Sequence, residues 1–322
     1  APWKAALWGA VAGTLPDLDV LIDHGDPILN MVLHRAETHA PFWLTLFSLP
    51  FAAAVARLHG EWGHWRRWWL ALWLALVTHP LLDGMTVYGT QLLLPFTDQP
   101  YGVGSVFIID PLYTLPLLVG TIWALRADGR GKGYGLAVNR GYRANLIGLA
   151  LSTAYLGWGV FAQAQVERIA QRALAAQGIS AEQVLVTPSA FNTVLWRVVA
   201  IDGAHYHEGF RSLLDKGPAI HFDRFDRGTA LAADVQAIDG VHRIQAFSRG
   251  FWALWQDDGR IGITDLRMGQ EPAYIFRFAI AERRSPVAPL AKPEQIGSRP
   301  DLARGLPWLW RRAWGEPLPP PR

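Results

Sequence analysis

The side chains best suited to chemistry in this chain lie in one short stretch, His34-Arg35-Ala36-Glu37-Thr38-His39, and in the turn Pro16-Asp17-Leu18-Asp19 before it. A third segment, Thr78-His79-Pro80-Leu81-Leu82-Asp83, adds another imidazole and carboxylate. All three segments are set among apolar runs, where uncompensated charge is expensive. A divalent metal ion would balance it, so Asp17, Asp19, His34, His39, His79 and Asp83 form a candidate one- or two-metal site. The chain has no cysteine, which excludes thiolate zinc sites, disulfides and a cysteine nucleophile. Any ligands are therefore nitrogen and oxygen, a set that zinc, manganese and iron all accept.

The spacing constrains how these residues can meet. His34 and His39 are five apart and would point about 140° apart on a continuous helix. They converge only if a helix starts between them, with Thr38 as its N-cap. This is not the His-Glu-x-x-His zinc-protease spacing. His79 and Asp83 are four apart and share a helix face, although Pro80 between them removes a hydrogen bond and kinks the helix. Asp17 and Asp19 also suit a turn or cap role. Asp110, before Pro111, is a further ligand, a cap or a catalytic proton acceptor, and Glu37 is either a ligand or the general base.

The elements that must carry these residues divide the chain into unlike halves. Residues 1–162 hold ten Lys/Arg and ten Asp/Glu, and residues 163–322 hold twenty and seventeen. The first half predicts a polytopic α-helical membrane bundle over residues 1–164, with spans at 39–56, 68–88, 106–125 and 145–164. Sixteen tryptophans are many for this length, and Trp62, Trp65, Trp68, Trp69 and Trp73 cluster at the edge of an apolar run, as interfacial belts do. Loops 57–67 and 126–143 carry the Lys/Arg excess, with Lys4 on the same side, and the positive-inside rule assigns them to the cytoplasm. The candidate site and everything after the last span then fall on the non-cytoplasmic side. The start at Ala1 suggests that an N-terminal piece was removed or never included, and what remains carries no signal-peptide pattern.

Residues 165–285 read as a small soluble α+β domain. A helix is expected over 163–176, and strands at about 193–201, 204–212, 243–256, 260–266 and 273–282 in one antiparallel sheet, with turns at Asp202-Gly203 and Asp258-Gly259. His205 and His207 share a strand face, which fits a solvated surface better than a metal site. Residues 286–322, rich in Pro, Arg and Trp, read as a mostly irregular tail. The formal charge of +3 gives no case for nucleic acid.

The order Leu-Pro-Asp-Leu-Asp, His-Arg-x-x-Thr-His and Thr-His-x-Leu-Leu-Asp resembles the membrane-bound metal-dependent hydrolases, whose best-known bacterial members are LexA-regulated inner-membrane proteins. The runs Phe191-Asn192-Thr193-Val194-Leu195-Trp196-Arg197 and Thr264-Asp265-Leu266-Arg267-Met268-Gly269 are similar to the soluble half of its longer members. Ala36-Glu37 departs from the pattern, where glycine and a bulky apolar residue are expected, and Ala40 stands in place of serine. The resemblance implies a multi-pass inner-membrane hydrolase that uses one or two divalent ions to activate water. The partner expected of it is the lipid bilayer, and a phosphoester on a lipid or lipid-linked molecule is the expected substrate. The alternative is a non-enzymatic membrane protein with a structural or transported metal and a partner-binding soluble domain.

Overall fold

A computed structural model of the chain describes residues 2–128, 136–298 and 301–322. Arg130 and Lys132 of the second basic loop lie outside the described residues. The helices are α1 (Pro2–Thr14), α2 (Pro27–Leu33), α3 (Pro41–Leu58), α4 (Trp65–Asp83), α5 (Pro111–Asp128), α6 (Leu136–Ala176), α7 (Ala232–Val235), α8 (Asp239–Phe247) and α9 (Leu302–Ala313). Short 3-10 turns at Pro16–Leu21 and Glu37–His39 carry the first two chemical segments. The chain folds into two compact units. One comprises Ala1–Ile22, His34–Val103 and Ile108–Gly159, and the other Asp23–Leu33, Gly104–Phe107 and Val160–Arg322.

In the first unit α3 and α4 form an antiparallel hairpin whose register is set by polar contacts inside an apolar interface. Trp73 Nε1 donates to Thr45 Oγ1 and Trp69 Nε1 to Ser48 Oγ, both at 2.9 Å. As the numbers rise on α3 they fall on α4, and extending this register brings His39 opposite His79. The interface between them is packed by Leu44, Ala52, Val55, Leu72 and Leu76, all buried. α5 and α6 also run antiparallel. Ser152 Oγ donates to the Tyr113 carbonyl at 2.7 Å, and Gly148 lies so near Pro116 that a Cβ there would be 2.4 Å from its carbonyl oxygen. Any side chain at Gly148 would force these two helices apart.

The expected polytopic bundle is not what the chain builds. Among the described residues two helices are long and apolar enough to cross a membrane, Pro41–Leu58 and Arg140–Ala176. The expected 68–88 span stops as helix at Asp83; His79 and Asp83 dilute its apolar character, and α4 itself begins earlier and takes in Arg66 and Arg67. The expected 106–125 span starts as helix only at Pro111, with Pro116 inside it. The Trp68, Trp69 and Trp73 indole N–H groups are bonded within the unit, the first to Glu61 Oε2 at 3.0 Å. The separate helix expected at 163–176 is the continuation of α6.

The second unit holds two four-stranded antiparallel sheets and a two-stranded pair, where one sheet was expected. The first, in order β1-β2-β3-β4, comprises β1 (Gln183–Pro188), β2 (Leu195–Asp202), β3 (His205–Ser212) and β4 (Phe222–Asp226). The second comprises β5 (Trp252–Asp257), β6 (Arg260–Asp265), β9 (Arg277–Glu282) and β10 (Ala288–Gln295), with β7 (Gly269–Gln270) and β8 (Ala273–Tyr274) as the pair. The expected hairpin turns are present, with Gly203, Asp258 and Gly259 at positive φ. β2 is apolar almost throughout because both its faces are covered. Trp196, Val198 and Ala200 meet the α6 stripe Ala162, Val166, Ala170 and Ala173, while Val199 and Ile201 pack with Phe251 and Leu266. The expected strand start at 243 is wrong: 239–247 is α8, where Val241, Ile244 and Phe247 recur at helical spacing on a buried face. The tail is not irregular either, because it supplies β10 and α9.

Candidate metal centre

Four of the sequence-derived residues converge, with three of them around His39. His39, fully buried, points Nε2 at Asp17 Oδ1 (3.3 Å), Asp83 Oδ2 (3.3 Å) and His79 Nε2 (3.3 Å). His79 Nε2 is also 3.2 Å from Asp83 Oδ2 and 3.5 Å from Asp17 Oδ1. Nitrogen and oxygen ligands at about 2.0–2.1 Å from a tetrahedral ion sit roughly 3.3 Å from one another, the edge being about 1.6 times the bond length. The spacings found here match that edge. Asp83 Oδ2 is buried with no hydrogen-bond donor, and two carboxylates face one small volume. Buried acceptors left in this way need a cation. The residues therefore fit a single divalent ion held by Asp17, His39, His79 and Asp83.

Local structure explains how they meet. Pro16 opens the 3-10 turn that presents Asp17, and α4 continues through Pro80, keeping His79 and Asp83 on one face. Thr38 does not cap α3, whose N-cap is Ala40. Its hydroxyl instead donates to Asp19 Oδ2 at 2.7 Å and lies 2.9 Å from His39 Nδ1. Having spent its single proton on Asp19, that oxygen can only accept from His39. In the neutral imidazole the His39 proton would then sit on Nδ1, leaving the Nε2 lone pair for an ion.

Asp19 and His34 lie beside this group and are not in it. Asp19 receives His34 Nδ1 at 2.7 Å, the Arg35 backbone N–H at 3.0 Å and the Thr38 hydroxyl, so both its oxygens are engaged. Burial would raise its pKa, but hydrogen bonds from His34, His39 and Thr38 hold it well below the usual carboxylate range. Hydrogen bonds from His39 and His79 depress Asp17 in the same way. Burial alone would lower His39, yet the facing carboxylates of Asp17, Asp19 and Asp83 push it up to about 10 in the metal-free protein. The pocket thus favours positive charge, and a bound cation would take over from that proton.

Arg35 is the site residue that sequence reasoning left without a role. Its side chain is buried, with Nη2 3.1 Å from Asp83 Oδ1 and Nη1 donating to Thr86 Oγ1 at 3.3 Å, and it lies over the Tyr88 ring. By occupying one Asp83 oxygen it leaves the other for the ion. Its backbone is left-handed, at φ 66°, a conformation costing roughly 1–3 kcal/mol in a non-glycine residue. The N–H bond to Asp19 and the bond from Gln91 N to its carbonyl hold it there. Its place between two motif residues, in His34-Arg35, was the available signal.

Glu37 is exposed, and Asp110 is occupied at the start of α5, accepting from Leu112 N at 3.0 Å and from the Tyr155 hydroxyl at 2.8 Å. Neither joins the four-residue group, nor do His205 and His207 on β3. Replacing Thr38 by valine should weaken divalent-metal affinity by about 10–100-fold, the usual effect of losing an outer hydrogen bond to a ligating histidine. Chelator competition on purified protein measures this. Thr38→Ser, which keeps the hydroxyl, should bind as the parent does, and a valine variant with unchanged affinity would refute the tautomer argument.

The chain carries two helices long and apolar enough to cross a membrane, an antiparallel α+β unit and, where α4 ends, a His/Asp group able to hold a metal ion. The chain belongs to the YdjM inner membrane protein family, whose profile matches residues 1–166 and so contains all four converging side chains. It is also similar to the uncharacterized protein YfhP of Bacillus subtilis (strain 168), at 23% identity over 281 residues, covering 84% of this chain and 80% of that protein. No solved structure matches it.

Proposed function

We propose that this protein is a metal-dependent hydrolase of the bacterial inner membrane, acting on a phosphoester of a lipid or lipid-linked molecule. The observation that carries this reading is that Asp17 Oδ1, His39 Nε2, His79 Nε2 and Asp83 Oδ2 lie together, with five of their six separations at 3.2–3.5 Å. A divalent ion there would lower the pKa of a water to about 7 and polarise a phosphoryl oxygen. The protein's own groups do the rest. Asp19 and Thr38 orient His39, and Arg35 fixes Asp83. His34 donates Nδ1–H to Asp19, which leaves Nε2 available to take a proton, and its ring centre lies 5.9 Å from that of His39. The Asp17 side chain is 46% exposed while His39 is fully covered, so access is from the Asp17 side. His39 precedes Pro41 at the start of a membrane-crossing helix, which favours a substrate presented at the bilayer edge. Mixed Asp/His ligation suits phosphoester over amide hydrolysis.

Arg57 at the far end of α3, followed by Arg66 and Arg67, assigns that end to the cytoplasm, and Arg140 and Arg143 do the same for the start of the apolar part of α6. The C-terminal domain, which follows α6, then faces the non-cytoplasmic side. A reporter fused after Arg322 that is active only in the cytoplasm would overturn this orientation.

A second reading is a structural or transported metal, favoured by the fact that four protein ligands already complete a tetrahedron, whereas catalytic zinc sites keep one position open. One experiment separates the two. Protein in lipid nanodiscs, loaded with zinc, manganese or iron(II), is assayed against soluble phosphoesters and phospholipids. Metal-dependent turnover that disappears in Asp17→Asn supports the hydrolase. A stoichiometric ion without turnover on any of these substrates supports the second reading.

A further inference from the structure

We propose that α9 and the loop before β2 form a docking face that lies in the headgroup–acyl boundary of the bilayer, its cavity taking up lipid acyl carbons. α9 buries one side, with Trp308 and Arg312 four residues apart. Trp308 meets Phe210 edge-on at 5.0 Å, and Arg312 pairs with Asp215. On another side Leu302, Leu306 and Trp310, again four apart, are 62%, 46% and 64% exposed, and Trp314 extends the stripe against Trp310. A cavity of about 410 Å³ opens beside it, lined by Phe191, Leu214, Leu306, Leu309, Trp310 and Trp314. Asn192 also lines it, but its side chain is spent on local backbone, accepting from Val194 N and Leu195 N and donating to the Ala190 carbonyl. An apolar surface this continuous on a soluble face marks an interaction site.

Three observations identify the occupant as the bilayer. The apolar part of α6 gives way at Gln163, whose amide donates to the carbonyls of Gly104 (3.1 Å) and Val186 (2.8 Å). Only three residues after Gly104, at most about 11 Å along the chain, the Phe107 ring meets Phe191 at 5.4 Å, so a short run of contacts links the helix exit to the cavity lip. The exposed residues are the types enriched at membrane interfaces, tryptophan above all. Finally, Arg304 and Arg311, seven apart, share a separate exposed face of α9, about 100° from Trp310, where guanidinium groups would meet lipid phosphates. Arg311 also pairs with Glu316.

The absence of cysteine makes the test direct. Single cysteines are introduced in the full chain as Leu306→Cys, Trp310→Cys and, for an aqueous reference, His242→Cys on α8. Each is spin-labelled in vesicles of phosphatidylcholine and phosphatidylglycerol, and its accessibility to oxygen and to a water-soluble nickel chelate is measured. Positions 306 and 310 should show an oxygen-to-nickel ratio several-fold above that at 242. Two results overturn the proposal. One is nickel accessibility at 306 and 310 equal to that at 242. The other is nickel exclusion accompanied by spin–spin broadening that grows with protein-to-lipid ratio, which would mean a second copy covers the face. All three positions are exposed, so the fold tolerates the changes, and two independent positions guard against a local effect at either one.

Discussion

His39→Ala and His79→Ala proteins should each purify with almost no bound divalent metal, against about one ion per chain in the parent. Each substitution removes one of four ligands, and the three left cannot close a tetrahedron without solvent. Loss of His39 does more, because Thr38 and Asp19 are also left without the ring they orient. Asp83→Asn should retain an intermediate amount, since an amide oxygen ligates weakly and Arg35 would then face a neutral partner. His207→Ala on β3 should leave metal content unchanged. Elemental analysis of detergent-purified protein decides between these outcomes. All four variants should still insert, because the apolar lengths of α3 and α6 are untouched. Full metal content in both histidine variants would end the ligand assignment, whatever their activity.

The four converging residues were legible because Asp and His are costly within apolar runs, so their types alone marked Asp17, His39, His79 and Asp83. What the sequence could not separate was Asp17 from Asp19. In a 3-10 turn each residue advances about 120°, so two carboxylates two apart face different ways, and which one meets the histidines depends on how the turn docks. The outer roles of Thr38 and Arg35 were hidden for a similar reason. Thr38 looks like a cap wherever a helix follows, and only the distant Asp19 gives its hydroxyl another partner. The apolar runs containing α4 and α5 read as crossings, but their tryptophans, prolines and arginines leave neither helix apolar enough to cross. Those same tryptophans, bonded to Thr45 and Ser48, set the hairpin register on which the centre depends. In the second unit the expected hairpins formed where Asp-Gly turns lay between apolar runs. β4 and β10 were missed because their pairing partners, not their own composition, make them strands, whereas the Val184-Leu185-Val186-Thr187 run of β1 is itself β-prone.

The largest effect on stability is expected at Glu208, fully buried on β3 beneath Arg197 of β2. Arg197 Nε donates to Glu208 Oε1 at 2.7 Å, and its other nitrogens reach the Leu266 carbonyl at 2.7 Å and the Tyr274 hydroxyl at 3.1 Å. Arg322 approaches the second Glu208 oxygen. Glu208→Ala leaves the Arg197 guanidinium buried without its counter-charge, and breaking a buried pair from one side costs about 3–5 kcal/mol. With roughly 2–4 °C per kcal/mol for a unit of this size, thermal unfolding of the full chain in detergent should move down by on the order of 10 °C. Glu294→Ala is the contrast, since its pair with Arg260 is about half exposed on both sides and should be worth no more than ~1 kcal/mol. The cause can also be separated from lost packing. Arg197→Met combined with Glu208→Leu removes both charges and keeps most of the volume, and should recover much of the lost stability. If the double variant melts as low as Glu208→Ala alone, the pair is held for shape and not for charge. If Glu208→Ala melts with the parent, the buried guanidinium has found another anion or reached water, and the network linking β2, β3 and Tyr274 does not stabilise this unit.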